Sequence, residues 1–549
     1  MPVLETKVDP RAESFRRNRE ENLRLLDQVR TLEAAVRRQG ESARERFERR
    51  GQLLPRERVG RLLDPGAPLL ELSTLAGLGL HDDDGCSSVT GGASIVVIGQ
   101  VSGVRCLVLA DDSAIKGGAI SPMGLRKRLR AQEIARRNRL PLINLVESAG
   151  ANLNYQSEIF VEGGRTFANL ARLSAAGIPV LSVVHGSSTA GGAYLPGLSD
   201  YVIAVRGRAK IFLGGPPLVK AAIGQDADDE SLGGAELHAT VTGTCEYLAE
   251  DDAHALALAR ELVAKVWPGD SAKVAAGWHG AAPPDAGREP RPPRHDPEEI
   301  LGIVSPDYRV PYDAREVIAR LVDDSDFLEW KALYGPHTVC GHAAVDGYPC
   351  GLIANNGPLD TDGSTKAGHF IQLCCQSGTP LVYLQNTTGY MVGKEAEQRG
   401  IVKHGSKMIQ AVANATVPQL TLHIGASFGA GNYGMCGRAY DPRFLFAWPN
   451  ARIAVMGGEQ AAGVMTLITE AKWRREGRDV DTGALERMRS DIVERLERES
   501  TALYSTARLW DDGIIDPRSS RRVLAFALAT CREAEQREPR PSTFGVARF

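Results

Sequence analysis

Two glycine-rich segments of the sequence have the composition of a main-chain site for an oxygen anion. Residues 187–194 read Ser-Ser-Thr-Ala-Gly-Gly-Ala-Tyr, and residues 426–433 read Ala-Ser-Phe-Gly-Ala-Gly-Asn-Tyr. Glycine permits a tight turn and lets a ligand oxygen come close to main-chain N–H groups. Donors that are fixed in advance stabilise an enolate or a tetrahedral oxyanion. The predicted donors are the N–H groups of Gly191, Gly192, Ala430 and Gly431.

The two segments belong to an internal duplication with a constant spacing of 239 residues (433 − 194 = 239). Pro141 corresponds to Pro380 and Pro179 to Pro418 in the same register. A single Gly-Gly pair is also explained by close packing of a helix on a strand. Two copies in register instead favour one reaction with two oxyanions to stabilise. Each proline precedes a short apolar run that predicts a buried strand: 142–146, 180–184, 381–384 and 420–424.

A cationic segment around the start of a predicted helix is a second candidate site. Lys116, Gly117 and Gly118 are followed by the basic run from Arg126 to Arg130. Phosphate groups accept hydrogen bonds from such side chains and from a helix N-terminus. A solvated basic helix face explains the same residues, and both interpretations stay open.

Other common catalytic patterns are missing from the sequence. There is no Gly-x-Ser-x-Gly elbow and no Walker-type loop, so neither a hydrolase nucleophile nor a P-loop is predicted. His185 is interpreted as a structural imidazole. The nine cysteines are scattered without a Cys-x-x-Cys pair, which predicts reduced thiols and no structural metal site.

The elements that position these residues follow from the periodicity. Apolar strands alternate with helical stretches such as 123–138, which predicts an α/β sheet covered by helices. The second half repeats the order, with a helix expected over 395–413 and a covering helix within 481–506. A chain of 549 residues fits two domains of about 250 residues. We predict an N-terminal domain with a helical arm at 1–282, a Pro-rich linker at 283–297 and a C-terminal domain at 298–549.

The bulk composition narrows the class of protein. A net charge of −3 argues against a nucleic-acid-binding protein. No segment approaches about 18 uncharged apolar residues, and the N-terminus is polar, so neither a membrane span nor a secretory signal is expected. The expected compartment is the cytoplasm.

Several longer motifs resemble the carboxyltransferase β subunits of biotin-dependent acyl-CoA carboxylases, and most of all their methylcrotonyl-CoA and geranyl-CoA branch. The resemblance implies two tandem, internally duplicated crotonase-like (ClpP/crotonase) domains. It also implies dimers whose active sites lie between the N-terminal domain of one subunit and the C-terminal domain of another, and a hexamer built from these dimers. The motifs that carry it lie at residues 190–194, 212–219, 232–235, 354–358, 428–438 and 455–461.

The resemblance also implies roles for the two glycine-rich turns. Gly191 and Gly192 would hold the thioester oxygen of acyl-CoA as its enolate forms. Ala430 and Gly431 would hold the ureido oxygen of biotin, whose own ring nitrogen can take the proton, so that no side-chain base is needed. The family's CoA region corresponds here to Lys116, Gly117, Gly118, Arg126, Lys127 and Arg130, and part of its biotin pocket to Gly389 and Tyr390.

Two absences bear on the partners that this resemblance implies. A biotin-bearing lysine would lie between methionines, but Lys407 follows Ser406. Carboxybiotin is therefore expected on a separate α subunit that combines the biotin carrier with biotin carboxylase activity. The zinc ribbon of some bacterial relatives is also missing, so no metal is expected in this chain.

One departure from the family pattern bears on the substrate. Where methylcrotonyl-type sequences usually read Asp-Arg-x-His-Phe-Gly-Arg, residues 159–165 read Ile-Phe-Val-Glu-Gly-Gly-Arg. Replacing a ring by Gly163 opens space on the order of 100 Å³ for an acyl group larger than methylcrotonyl. A neutral loop difference would explain the same change. The predicted pocket residues are Gly163, Gly164, Ala193 and Tyr194.

Other functions remain possible for this fold. They are a propionyl- or acetyl-CoA carboxylase β subunit, a noncatalytic scaffold β chain, a decarboxylase subunit and a crotonase-type hydratase. A hydratase would need a catalytic carboxylate and would leave the second glycine-rich copy without a role. Both copies are intact, which argues against a scaffold.

Overall fold

The computed structural model describes residues 3–81, 88–267 and 289–547. Cys86 and residues 283–288 of the predicted linker lie outside the described residues. The chain divides into two compact units, which we call the first unit and the second unit after the glycine-rich copy that each contains. The first unit is drawn from Thr31–Ala282, Ala507–Leu509 and Ala529–Phe549, and the second from Met1–Arg30, Pro283–Thr506 and Trp510–Leu528.

Fifteen strands are found in the described residues. Those of the first unit are β1 (Leu70–Leu72), β2 (Ser94–Val101), β3 (Val104–Asp111), β4 (Leu142–Ser148), β5 (Val180–Thr189), β6 (Tyr201–Val205), β7 (Lys210–Phe212) and β8 (Tyr247–Ala249). Those of the second unit are β9 (Leu328–Glu329), β10 (Thr338–Val345), β11 (Tyr348–Asn355), β12 (Leu381–Thr387), β13 (Gln419–Phe428), β14 (Phe444–Ala447) and β15 (Arg452–Ala454).

The α-helices are numbered in chain order. The first ten are α1 (Glu13–Glu41), α2 (Arg44–Arg49), α3 (Pro55–Leu62), α4 (Pro122–Arg137), α5 (Gln156–Ala175), α6 (Tyr194–Gly197), α7 (Pro216–Ile223), α8 (Asp229–Gly233), α9 (Ala235–Thr240) and α10 (Asp252–Val266). The remainder are α11 (Ile300–Ile303), α12 (Ala314–Ile318), α13 (Thr361–Ser377), α14 (Lys394–Gln398), α15 (Ile401–Ala413), α16 (Gly429–Gly434), α17 (Gly458–Arg475), α18 (Thr482–Glu499), α19 (Ala502–Ala507) and α20 (Ser520–Gln536).

The two units contain sheets of the same design. The first has the order β1-β2-β3-β4-β5-β6-β8, with β7 paired to the end of β5, and the second has the order β14-β13-β12-β11-β10-β9, with β15 paired to the end of β13. In each sheet an antiparallel hairpin leads into parallel strands. The central strands β4 and β13 are almost wholly buried, as expected of parallel strands that helices cover on both faces. The predicted α/β class is confirmed.

The duplication extends to irregular features of the backbone. The pairing of β4 with β5 shifts register between Val146 and Ser148, and the pairing of β12 with β13 shifts between Gln385 and Thr387, 239 residues later. Parallel bridges join Ile120 to Ala151 and Leu359 to Tyr390, again with that spacing. The four strands predicted at the motifs are all present.

Two predicted helices differ from the structure. The helix expected over 395–413 is divided into α14 and α15, because Gly400 has a left-handed backbone with φ of +81°. The charged tail forms α18, which packs against α17 and buries none of its own residues, so it does not cover the core as predicted. In the described part of the chain, no helix is long and apolar enough to cross a membrane.

Candidate functional site

The first glycine-rich turn lies where β5 ends. Ala190 has φ of +52° and begins a short 3₁₀ turn, Ala190–Ala193, that leads into α6. The preceding residue, Thr189, makes no side-chain cap hydrogen bond. The first N–H groups of a helix have no intrahelical acceptor. The N–H groups of Gly191, which is exposed, and Gly192, which is buried, can therefore bind an oxygen here.

The second turn has the same form at the end of β13. Phe428 precedes α16 and makes no side-chain cap hydrogen bond. Ala430 is exposed and Gly431 is buried, as Gly191 and Gly192 are in the first copy. A Cβ on Gly431 would lie 2.8 Å from Gly389 Cα, so only glycine fits without a backbone shift.

A second loop borders each turn, and the two loops make the same hydrogen bond. The Gly150 N–H donates to Ser148 Oγ at 3.1 Å, and the Gly389 N–H donates to Thr387 Oγ1 at 3.3 Å. Both glycines have positive φ, +87° and +120°. The structure therefore places Gly389 beside the second turn.

The Lys116–Gly118 segment lies against the loop of the first copy. Gly117 and Gly118 have φ of +65° and +73°. A Cβ on Gly118 would lie 2.3 Å from the carbonyl oxygen of Glu147, and Ser148 Oγ donates to the Gly118 carbonyl at 2.9 Å. This segment, including the half-buried Lys116, thus packs against the loop that borders the first turn.

Lys127 does not face a ligand. Its side chain is buried, and Nζ donates to the carbonyl oxygens of Gly91 at 3.0 Å and Ser94 at 2.7 Å. Burial lowers the pKa of Lys127 to about 8. Lys127 holds the start of β2, and its predicted role as a phosphate ligand is wrong for this reason.

The other two predicted CoA cations of α4 differ in their surroundings. Arg126 is exposed, whereas Arg130 is half-buried and forms an ion pair with Glu133 at 3.0 Å. The basic run is therefore not a single phosphate-binding cluster.

Gly163 and Gly164 lie in the middle of α5. A Cβ on Gly163 would meet only Ile159 Cγ2, at 3.9 Å, and a Cβ on Gly164 would meet no atom within 4 Å. A Cβ at either position therefore meets no close contact.

Phe167, one turn after Gly163, connects α5 to the first turn. Its Cζ lies 3.4 Å from the position of a Cβ on Gly191, and its ring packs on Tyr194 with centroids 5.5 Å apart. Ala193 is buried beneath the turn, and Tyr194 is exposed. Sequence reasoning missed Phe167, although its spacing of four residues from Gly163 places both on one helix face.

Tyr390 packs between α15 and α16. Its hydroxyl donates to the Gly405 carbonyl at 3.4 Å and lies 3.7 Å from Met408 Sδ. A Cβ on Gly434 would lie 2.3 Å from this hydroxyl oxygen. Burial raises the pKa of Tyr390. The hydroxyl thus serves packing against α15 and α16, and the backbone at Gly389 lies closest to Gly431 of the second turn.

Sequence reasoning also missed a buried group of charges behind the first turn. Arg58 NH1 lies 2.5 Å from Glu147 Oε2, and Arg58 Nε lies 3.1 Å from Asp252 Oδ2. His185 Nδ1 lies 2.9 Å from Asp252 Oδ1. Burial would raise the pKa of Asp252, but the His185 hydrogen bond and the nearby charges lower it to about 2. These four residues are far apart in sequence, and no local pattern links them.

Among the described residues, no group of three or more His, Cys, Asp or Glu side chains could hold a metal ion.

Comparisons with known proteins identify relatives over the full length. A family model described as the carboxyl transferase domain matches residues 46–544. The chain is 48% identical over 551 residues to the probable biotin-dependent acyl-coenzyme A carboxylase beta2 subunit of Mycobacterium tuberculosis, covering 100% of both chains. It is 47% identical over 521 residues to the 3-methylcrotonyl-coenzyme A carboxylase beta1 subunit of the same organism, covering 94% of this chain and 95% of the relative. The crystal structure of the P. aeruginosa geranyl-CoA carboxylase beta subunit matches with a TM-score of 0.92 and 55% identity, covering 100% of both chains.

Proposed function

Because the chain belongs to the carboxyl transferase domain family, we propose that it transfers a carboxyl group from biotin to methylcrotonyl-CoA or a larger branched acyl-CoA such as geranyl-CoA. It is the carboxyltransferase (beta) component of a biotin-dependent acyl-CoA carboxylase, a carbon–carbon bond-forming ligase. The predicted resemblance and the two tandem crotonase-like domains are confirmed. The observation that carries the mechanism is the duplicated turn.

In this proposal the first turn binds the acyl-CoA thioester. The N–H groups of Gly191 and Gly192 donate to its oxygen as negative charge develops in the enolate. Each such donor is worth about 3 kcal/mol of transition-state stabilisation. Phe167 and Tyr194 border this turn with apolar ring surface, which suits an acyl chain.

The second turn fits the ureido group of biotin. Ala430 is exposed, so its N–H can be reached by a ligand. Gly431 has no side chain at the point where the turn packs against Gly389. A planar ring can therefore approach the main chain with its oxygen on these donors. Biotin, when bound, supplies the carboxyl group and a ring nitrogen that can take a proton. The absence of a dedicated base among the proposed residues agrees with this assignment.

CoA binding is proposed at the Lys116–Gly118 segment, with Arg126 as an exposed cation in the first half of α4. Arg130 would contribute to CoA binding only by exchanging its ion pair with Glu133 for a contact with CoA. Lys127 is not part of this site.

Gly163 supports the proposal that the acyl pocket is larger than methylcrotonyl-CoA requires. The open space beside this residue lies on the helix that brings Phe167 to the first turn. The branched, elongated acyl chain of geranyl-CoA would occupy this space.

The proposed assembly has a separate α subunit that bears biotin and biotin carboxylase activity, and six β chains that form a hexamer built from dimers. Residues 1–282 and 298–549 are proposed as the acyl-CoA and biotin domains. The proposed location is the cytoplasm, where thiols such as the eight free cysteines of the described residues stay reduced.

The test is turnover of the complex. The tagged chain is isolated from its host with its biotinylated partner, and bicarbonate-dependent ATP hydrolysis is measured with acetyl-, propionyl-, methylcrotonyl- and geranyl-CoA. We expect turnover with the last two, and with geranyl-CoA above methylcrotonyl-CoA. Turnover with only acetyl- or propionyl-CoA would overturn the proposed substrate class. The proposed function itself would be overturned if no biotinylated partner were recovered and no acyl-CoA were turned over.

A further inference from the structure

We propose that Glu147 is a positioning residue for the first oxyanion turn, held in place by buried ion pairs that the second copy of the repeat replaces with neutral amides. The inference rests on the proposed function, because it assigns a role within the acyl-CoA site. It concerns residues that touch neither of the two substrates.

The carboxylate of Glu147 is fixed by buried donors. Arg58 NH1 lies 2.5 Å from Oε2, and Gln52 Nε2 donates to Oε1 at 3.2 Å. The Arg58 side chain is only 2% exposed, and its Nε is bound to Asp252. Burial would raise the pKa of Glu147, but the charge and hydrogen bond of Arg58 lower it, so the residue is ionised.

The main chain of Glu147 is fixed by a second ion pair. Its N–H donates to Asp111 Oδ2 at 3.3 Å, and Asp111 Oδ1 is bound by Arg128 NH2 at 2.5 Å. Both side chains of this pair are about 5% exposed or less. Glu147 is therefore held at its backbone by Asp111, which pairs with Arg128, and at its side chain by Arg58. Burial raises the pKa of Asp111, and the charge of Arg128 opposes this rise.

Three segments of the first site rest on Glu147. Gly118 contacts its carbonyl oxygen, and a Cβ on Gly186 would lie 2.7 Å from its Cγ. Two residues after Gly186, Ser188 Oγ donates to the Gly192 carbonyl at 2.9 Å. Ser148, the next residue in the chain, donates to Gly118. A shift of Glu147 would thus move the Lys116–Gly118 segment, the loop at Gly150 and the oxyanion turn together.

The second copy shows the same architecture without charge. Asn386 occupies the equivalent position (386 − 147 = 239), and its Oδ1 accepts from the Ala426 N–H at 3.2 Å. Its own N–H donates to Asn355 Oδ1 at 3.3 Å. A Cβ on Gly425 would lie 2.3 Å from Asn386 Oδ1, which matches the packing of Glu147 on Gly186. The two copies therefore share the same backbone arrangement, but only the first copy, the proposed acyl-CoA side, has a charged residue at this position.

The charge has a physical consequence for the turn. Hydrogen bonds between ionised groups are about twice as strong as neutral ones. Removing one partner of a buried pair leaves an uncompensated charge, which displaces the surrounding chain. Because a misplacement of about 1 Å at a reacting group can cost on the order of 100-fold in rate, the ion pairs act by holding the donors of Gly191 and Gly192 in place.

The test compares Glu147→Gln with a matched control in the assembled carboxylase. The control is Glu533→Gln, which removes the charge of another buried pair in the same unit: Glu533 binds Arg105 at 2.8 Å, and the Arg105 side chain is 3% exposed. We expect kcat of Glu147→Gln to fall about tenfold or more. The KM for the biotinylated partner should stay within about twofold, because Glu147 belongs to the first unit, whereas biotin is proposed to bind at the second turn. The KM for acyl-CoA should rise together with the fall in kcat, because Glu147 also supports the proposed CoA segment Lys116–Gly118. Glu533→Gln should keep kcat within about twofold of wild type.

Each outcome decides the inference. A kcat of Glu147→Gln equal to that of Glu533→Gln, with the wild type active, would overturn the positioning role while leaving the proposed function intact. A wild type without turnover on any acyl-CoA would overturn both. If Glu147→Gln does not fold, Arg58→Lys keeps the positive charge but loses the two-pronged contact with Glu147 and Asp252. A kcat of Arg58→Lys within about twofold of wild type would then overturn the inference, and a fall of several-fold with an unchanged KM for the biotinylated partner would support it.

Discussion

Ala190 and Gly429 occupy the same place in the two copies and have the same left-handed backbone, with φ of +52° and +54°. An L-residue in this region costs about 1 to 2 kcal/mol, a cost that glycine avoids. The first oxyanion turn therefore begins at a strained residue and the second does not. Strain of this kind is found at functional sites, where the surrounding structure enforces it.

Exchanging the two residues should affect stability unequally. We expect Gly429→Ala to lower the free energy of unfolding by about 1 to 2 kcal/mol, and its Cβ would also lie 3.0 Å from the Val455 carbonyl oxygen. Ala190→Gly should change it by less than about 1 kcal/mol, because relief of strain is offset by the greater flexibility of glycine in the unfolded chain. Urea unfolding of both variants measures this, and an unaffected Gly429→Ala would contradict it.

The N–H of Ala430 can be removed without changing its side chain. Replacing Ala430 by lactic acid through nonsense suppression converts the amide to an ester, which lacks the N–H. We expect kcat to fall on the order of 100-fold. Ala430→Gly keeps the N–H and is the control, with kcat expected within about threefold of wild type. Equal rates for the two variants would remove Ala430 from the oxyanion site.

A ring at position 163 should change acyl preference. Gly163→Phe fills the open space beside Ile159, and we expect the ratio of kcat/KM for geranyl-CoA over methylcrotonyl-CoA to fall by about 10-fold or more. Gly163→Ala gains the same helix-forming tendency but little volume, so its ratio should stay within about threefold. An unchanged preference in Gly163→Phe would mean that the residue lies outside the acyl pocket.

Asp511 should make the stability of the second unit depend on pH. It is buried, and its Oδ1 accepts from Thr506 Oγ1 at 2.7 Å and from the Gly513 N–H at 2.9 Å. Burial raises its pKa to about 7 from 3.8, with Arg438 opposing and Asp512 adding to the shift.

Since the pKa of Asp511 is higher in the folded than in the unfolded state, its contribution is full below about pH 4 and is lost as pH rises through about 7. We expect wild type to lose free energy of unfolding between pH 5.5 and 8.5 relative to Asp511→Asn, whose amide oxygen can accept the same two hydrogen bonds. Denaturant unfolding at both pH values measures the difference. Parallel curves for the two proteins would show that Asp511 does not titrate in this range.

Much of the site could be predicted because its determinants are local. A left-handed turn requires glycine or a strained residue within a few positions, and a buried parallel strand requires a continuous apolar run. Both constraints are satisfied by adjacent residues. A constant spacing of 239 residues relates residues 141–194 to residues 380–433, and this repeat predicted the strands, their order along the chain and both turns.

The sequence by itself thus determined the duplicated α/β architecture and the two glycine-rich turns, whose main-chain N–H groups are proposed as donors. Only the tertiary structure decided which charged side chains are exposed and which are buried in hydrogen bonds and ion pairs. Lys127 and Arg126 are neighbours on one helix, yet one is buried on backbone carbonyls and the other is exposed. Arg58, Glu147 and Asp252 meet only because three distant segments pack together. Burial and ion pairing depend on long-range contacts, which residue type and local spacing do not encode.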